Sequence, residues 1–239
     1  MANDSNQFSY FKVHSEYSIC EGAIKIDDLA KTCKEYKIKS VGLCDSFNLC
    51  GALEFAEKLS KSGSHPIIGT QINFKFGNDI GKIPLFATTE KGYKNLIKLS
   101  SKSYLENDDI SEPHCTFSDL KNLHEDLIIL TGGHFDFFGK LFKLNKVKHV
   151  SEILLDLKKV FKERIYIELQ RHKEPGEKAF ENFLIDLSST IQLPLIASQE
   201  VYYLKKDMFE AHDALICIGE KAFVDDKLVC EAVFVCIAQ

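Results

Sequence analysis

Short apolar runs of strand type alternate with longer stretches whose apolar residues recur every three or four positions. This alternation constrains the fold more than any single motif does. Strand-type runs fall at Tyr10–Val13, Ser40–Cys44, Pro66–Phe74, Ile83–Ala87, Leu127–Thr131, Arg164–Gln170 and Leu193–Ala197. Helical patterns lie between or after them: one from about Ile26, then Leu53–Ser62, Glu90–Leu105, Val147–Phe161, Glu177–Thr190 and Lys205–Ile218. About seven strands alternating with helices predict an α/β fold with a parallel sheet, either an open doubly wound sheet or a barrel. No glycine-rich phosphate loop follows an early strand, which counts against a nucleotide-binding open sheet. Nearly every strand runs out into polar residues: His14, Glu16 and Glu21, then Cys44-Asp45-Ser46, Gln71, Gln170-Arg171-His172 and Gln199-Glu200. In a barrel those strand ends face one mouth, so the barrel is preferred.

The helical stretches carry ordinary physical signals. Ile26, Leu29, Ala30 and Cys33 keep helical spacing, with Asp27 and Asp28 in the first turn and Lys34 and Lys37 towards the end, as the helix dipole favours. The clearest stripe joins Val147, Val150, Ile153, Leu154, Leu157, Val160 and Phe161. In Arg164–Gln170 the residues Ile165, Ile167 and Leu169 alternate with Tyr166, Glu168 and Gln170. Residues 106–117 are acidic and turn-rich, so an exposed excursion is expected there, and residues 1–9 are expected to be loose.

The chain has 239 residues and a net charge of −5, which argues against whole-surface attraction to nucleic acid. Its eight cysteines form no CxxC pair, and no signal peptide is apparent. They read as reduced, mostly buried thiols of a cytoplasmic protein. No apolar run approaches the roughly 20 residues that span a bilayer, so no membrane role is expected. One basic run, Lys140, Lys143, Lys146 and Lys148 with Lys158, Lys159, Lys162 and Arg164 beyond, reads either as a DNA-facing patch or as the solvated side of flanking helices. The second reading is preferred, since acidic residues are interspersed elsewhere. The 18 phenylalanines, without a tryptophan, read as packing and not as a base-stacking ladder.

Six blocks occur in order: VHSEYSICEGAIKIDDLAK, VGLCDSFNLCGALEFAEK, PIIGTQI, GYKNLIKLSS, IELQRH and AHDALICIG. Together they resemble the N-terminal polymerase-and-histidinol-phosphatase (PHP) domain of the bacterial replicative DNA polymerase III alpha subunit. The resemblance runs from about residue 8 to residue 226 and implies a distorted seven-stranded (β/α) barrel of the PHP type. On it, 1–9 is a flexible start, 10–226 the PHP domain and 227–239 an atypical tail, which a truncated frame, a frameshift or a fragment would each explain.

Active members of the wider family are expected to hold up to three divalent metals at the barrel mouth and to hydrolyse phosphoesters. Transferred residue by residue, the resemblance implies that His14, Glu21, Asp45 and Glu200 keep ligand positions, with His172 a further candidate. It places Lys12, Ser46, Gln71 and Tyr202 where ligands have been lost. Gly133 stands at a position usually Cys or His, with His134 beside it as a substitute. An ammonium cannot bind a metal while charged, and a glutamine lacks the carboxylate's charge. The resemblance therefore implies a decayed phosphoesterase with no catalytic residues and no metal, in which Lys12 beside Glu21, Asp45 or Glu200 supplies the missing cation's charge.

The expected role is a scaffold in DNA replication whose partners are the proofreading exonuclease subunit and the remainder of the alpha chain, with DNA reached through the holoenzyme. The sequence contains no Asp-x-Asp of the kind polymerase palms use, so nucleotidyl transfer is not expected of these residues. The alternative is a metal-dependent phosphoesterase or 3′–5′ exonuclease with a reduced zinc, manganese or magnesium site on His14, Glu21, Asp45, His172 and Glu200. A stand-alone enzyme resembling histidinol phosphatase is a third reading.

Overall fold

Hydrophobic periodicity becomes structure most directly in the helices. The computed structural model describes residues 8–106 and 112–220; the 227–239 tail and most of the 1–9 segment lie outside them. The described residues divide into two units, one of residues 8–46, 50–68 and 198–220, the other of residues 47–49, 69–106 and 112–197.

In the first unit, β1 (Tyr10–Val13) lies parallel to β2 (Ser40–Ser46) on one side and to β9 (Glu200–Val201) on the other. The crossover from β1 to β2 is α1 (Ile26–Glu35), which buries Ile26, Leu29 and Cys33 and ends beyond Lys34. Next, α2 (Ala52–Ser62) buries Ala52, Phe55 and Leu59 and stops at Gly63, whose φ of +90° suits glycine. Ile26, Leu29, Phe55 and Leu59 join Val13, Val41, Leu43, Val201 and Leu204 in one apolar core. Burial of each such side chain contributes roughly 1.5–3 kcal/mol. Gly42 is required by the β1–β2 pairing, because a Cβ there would lie 2.4 Å from the Phe11 carbonyl oxygen. The unit closes with α8 (Phe209–Glu220), which a 3₁₀ turn at Lys206–Met208 delays relative to the predicted start at Lys205.

The second unit is not purely parallel, contrary to the simple alternation. From residue 69 onward β3 (His65–Phe76) pairs antiparallel with β4 (Asp79–Ala87), which pairs antiparallel with β6 (Leu127–Leu130). Only Gly77-Asn78 separates β3 from β4, too short for a crossover, and Gly77 has the positive φ (+61°) of a two-residue hairpin. Parallel pairing resumes from β6 to β7 (Ile165–Leu169) and β8 (Leu195–Ala197). Around this sheet α3 (Glu90–Leu105), α4 (Phe117–Leu123), α5 (Phe137–Lys143), α6 (Val147–Phe161) and α7 (Glu177–Ile191) contribute to a second core that includes Leu96, Leu120, Phe138, Leu154 and Leu184. The segment predicted as an exposed excursion is partly inside: His114 and Cys115 are buried, and β5 (Cys115–Thr116) pairs with β3. Residues 107–111 of it lie outside the described residues.

Candidate functional site

Side chains two apart on a strand share a face, so Lys12 and His14 emerge on the same side of β1. The parallel register sets Lys12 opposite Glu200 of β9. The His14 N–H donates to the Val201 carbonyl at 2.9 Å, fixing the strand's exit. Lys12 is wholly buried, and its Nζ lies 2.8 Å from Glu200 Oε1. His14 Nε2 stands 3.6 Å from the same oxygen, and the ring stacks on Tyr202 with centroids 4.4 Å apart and planes 14° from parallel. Burial alone would raise the Glu200 carboxyl, but the Lys12 ammonium, helped by His14, holds it well below the usual 4.5.

At the end of β2 the carboxylate of Asp45 is buried and held by serines. It accepts the Ser15 N–H at 2.6 Å, the Ser15 hydroxyl at 2.7 Å and the Ser18 hydroxyl at 2.8 Å. Ser18, its proton committed to Asp45, accepts the Ser46 N–H at 3.1 Å and lies 3.4 Å from His14 Nδ1. Ser46 in turn donates its hydroxyl to Glu21 Oε2 at 2.5 Å. The Glu21 carbonyl takes the Nε2–H of His212 on α8 at 2.8 Å. Burial pushes the His212 pKa down, although that hydrogen bond opposes the shift. The first unit thus gathers Lys12, His14, Glu21, Asp45, Ser46, Glu200 and Tyr202 of the residues singled out in the sequence. Ser15, Ser18 and His212 were not given a role there, although all three lie inside the quoted blocks.

The second unit holds the remaining positions. Gln71 is buried on β3, and its carbonyl accepts the Phe47 N–H at 2.7 Å. His172 sits beyond β7, where its N–H donates to Glu177 Oε1 at 2.7 Å and its Nε2 lies 3.3 Å from Gln170 Oε1. Glu177 also takes the Lys173 N–H at 2.8 Å, folding this loop onto the start of α7. Glu168 accepts from Gln170 Nε2 at 2.7 Å. Gly133 lies so close to Gln170 that a Cβ would meet its Oε1 at 2.0 Å.

Much of the basic run is engaged locally. Lys146 pairs with Asp79 at 2.5 Å and Lys159 with Asp156 at 2.8 Å. Lys158 donates to the Ile191 and Gln192 carbonyls, and Arg164 to those of His124 and Leu127. Lys143 rests 3.9 Å over the Phe135 ring. Cations held this way support the preference for a solvated helix side over a DNA patch. Among the described residues no three His, Cys, Asp or Glu side chains are grouped so as to hold a metal ion, and no helix is long and apolar enough to cross a membrane.

Comparison with known proteins gives a consistent picture. The family model described as PHP domain matches residues 11–172. The DNA polymerase III subunit alpha of Caulobacter vibrioides is 38% identical over 228 residues, covering 91% of this chain and 20% of that protein. That of Rickettsia bellii is 35% identical over 229 residues, covering 94% and 20%. The chain therefore spans about a fifth of the length of these curated relatives. Among solved structures, a Bifidobacterium adolescentis protein assigned as a metal-dependent phosphoesterase superposes with a TM-score of 0.51 at 10% identity, covering 82% of this chain and 87% of that one. An amidohydrolase from Chromobacterium violaceum gives 0.51 at 10% identity, covering 87% and 97%. At that identity they speak to the fold alone.

Proposed function

This chain belongs to the PHP domain family, and on that premise we propose that it is the PHP domain of a DNA polymerase III alpha subunit, acting in DNA replication as a scaffold with a decayed phosphoesterase site. Its partners in this reading are the proofreading exonuclease subunit and the rest of the polymerase chain, to which nucleotidyl transfer belongs.

The observation that carries the reading is the buried pair between Lys12 and Glu200. A multinuclear metal centre needs carboxylates and imidazoles free to coordinate. Here the Glu200 carboxylate is engaged by an ammonium 2.8 Å away, and the Asp45 carboxylate accepts from Ser15 and Ser18. The Glu21 carboxylate accepts from Ser46. Carboxylates engaged in this way support the decayed-site reading. A built-in ammonium balancing a carboxylate supports a pocket reused to hold β1, β2 and β9 in register.

Two measurements test the reading. In a pull-down with the cognate proofreading exonuclease subunit, the scaffold predicts a complex at micromolar concentration, and no binding removes that role. Elemental analysis of purified protein should find less than stoichiometric zinc or manganese. Stoichiometric metal together with hydrolysis of p-nitrophenyl phosphate would establish the reduced-site enzyme in its place.

A further inference from the structure

The second unit contains a small, partly open cavity of about 10 Å³, lined by Gly133, His134, Glu168, Gln170, Glu177 and Phe180 among others. A single buried water needs roughly 10–15 Å³ of such space and two to four polar partners. His134 is 6% exposed, and its two ring nitrogens are not equivalent. Nε2 lies 3.2 Å from the Pro175 carbonyl oxygen, which can only accept, so Nε2 carries the proton. Nδ1 is then a lone pair, buried and without a hydrogen-bond partner among the protein's own groups. A buried acceptor left in that condition costs about 1–3 kcal/mol.

We infer that this cavity binds one ordered water, which donates one hydrogen to His134 Nδ1 and the other to the carboxylate of Glu168. A carboxylate has about four acceptor sites, so Glu168 can take this bond alongside the one from Gln170 Nε2 at 2.7 Å. The water would join the turn after β6 to the end of β7, two segments otherwise held there by Gly133 against Gln170 and by Thr131, whose Oγ1 accepts the Glu168 N–H at 2.9 Å. A water is favoured over a larger guest by size alone, since the cavity admits about one.

The test uses the full chain. Nitrogen-15 shifts of the histidine rings should report the Nε2–H tautomer for His134 at neutral pH, with Nδ1 accepting a hydrogen bond. A crystal structure should show a water within about 3 Å of Nδ1. The Nδ1–H tautomer, or no density at that place, overturns the inference. In His134→Phe the acceptor is gone, and water-relaxation dispersion should count one long-lived buried water fewer than in the parent. An unchanged count also overturns it. The first two readings need no variant, so a failure of His134→Phe to fold leaves the test standing.

Discussion

Replacing Lys12 by methionine keeps the apolar stem and removes the charge that faces Glu200. At 2.8 Å and an effective dielectric near 20, the pair's attraction is about 6 kcal/mol, while removing an ammonium from water costs several kcal/mol. The intact pair is therefore worth little net, but breaking it strands a buried carboxylate, which typically costs about 3–5 kcal/mol. Glu200 keeps 17% of its side chain exposed and can recover some hydration, which favours the lower end, about 3 kcal/mol. With a urea slope near 3 kcal/mol/M, the midpoint should fall by about 1 M. Lys12→Met combined with Glu200→Met should return to within about 1 kcal/mol of the parent, because an apolar pair of similar volume is tolerated where a half-pair is not. The reasoning is refuted if the single variant loses less than about 1 kcal/mol, or if the double variant is as unstable as the sum of the singles. The pH dependence follows with its sign. The folded Glu200 carboxyl is depressed below the usual 4.5, so its contribution is full above that value and is lost as pH falls through the folded pKa. The stability gap between the parent and Glu200→Gln should therefore narrow only below about pH 4.5; a gap that closes near neutrality would contradict the assignment.

Asp45→Asn replaces an oxygen that accepts from Ser15 or Ser18 with an amide donor, and hydrogen bonds to charged groups are worth about 1.5–3 kcal/mol each. Chemical denaturation should register a loss of about 3 kcal/mol, and an unchanged midpoint would sink this account of the site. Gly42→Ala places a methyl 2.4 Å from the Phe11 carbonyl, and the resulting strand displacement should cost about 1–3 kcal/mol, read as a lower melting temperature; equal melting would mean the β1–β2 pairing is looser than described. Burial pushes the Cys33 thiol up to about 11 and that of Cys115 up to about 12, whereas Cys50 is exposed. Among the described cysteines, maleimide at neutral pH should label Cys50 before Cys33 and Cys115, and mass spectrometry finding Cys33 or Cys115 modified as quickly in native protein would contradict their burial.

Periodicity reached some elements without help from tertiary structure. Val147–Phe161 was legible because five of its apolar residues (Val150, Ile153, Leu154, Leu157 and Phe161) form the buried stripe, and Glu90–Leu105 has the predicted bounds. Short elements were not: β9 has two residues and β5 two, too few to show a period. Helix α4 left a usable signal in the Thr116–Asp119 capping box, at the end of the 106–117 stretch that reads as turns. Helix α5 was masked by Gly139, which is there because a Cβ would meet the His134 carbonyl at 2.2 Å. The antiparallel hairpin could have been found from Gly77-Asn78 and the missing helix between its strands.

The site divides along the same line between local and tertiary information. Spacing along and just beyond β1 was enough to place Lys12 and His14 on one face. Which carboxylate takes the Lys12 cation could not be read locally, because Glu21, Asp45 and Glu200 all follow strand-type runs in the sequence. Register decides it: β9 pairs Lys12 with Glu200, while Ser15 and Ser18, coming off the next turn of chain, satisfy Asp45 first. A lysine facing Asp45 would have met a carboxylate already supplied with donors and gained less from it than from Glu200. Substituting both Ser15 and Ser18 by alanine should therefore cost stability by leaving Asp45 without those donors, yet leave the Lys12 pairing with Glu200 intact. Nitrogen-15 spectra of the Lys12 ammonium would register that pairing, and a shift there equal to the one caused by Glu200→Gln would show that the two carboxylates share the cation after all.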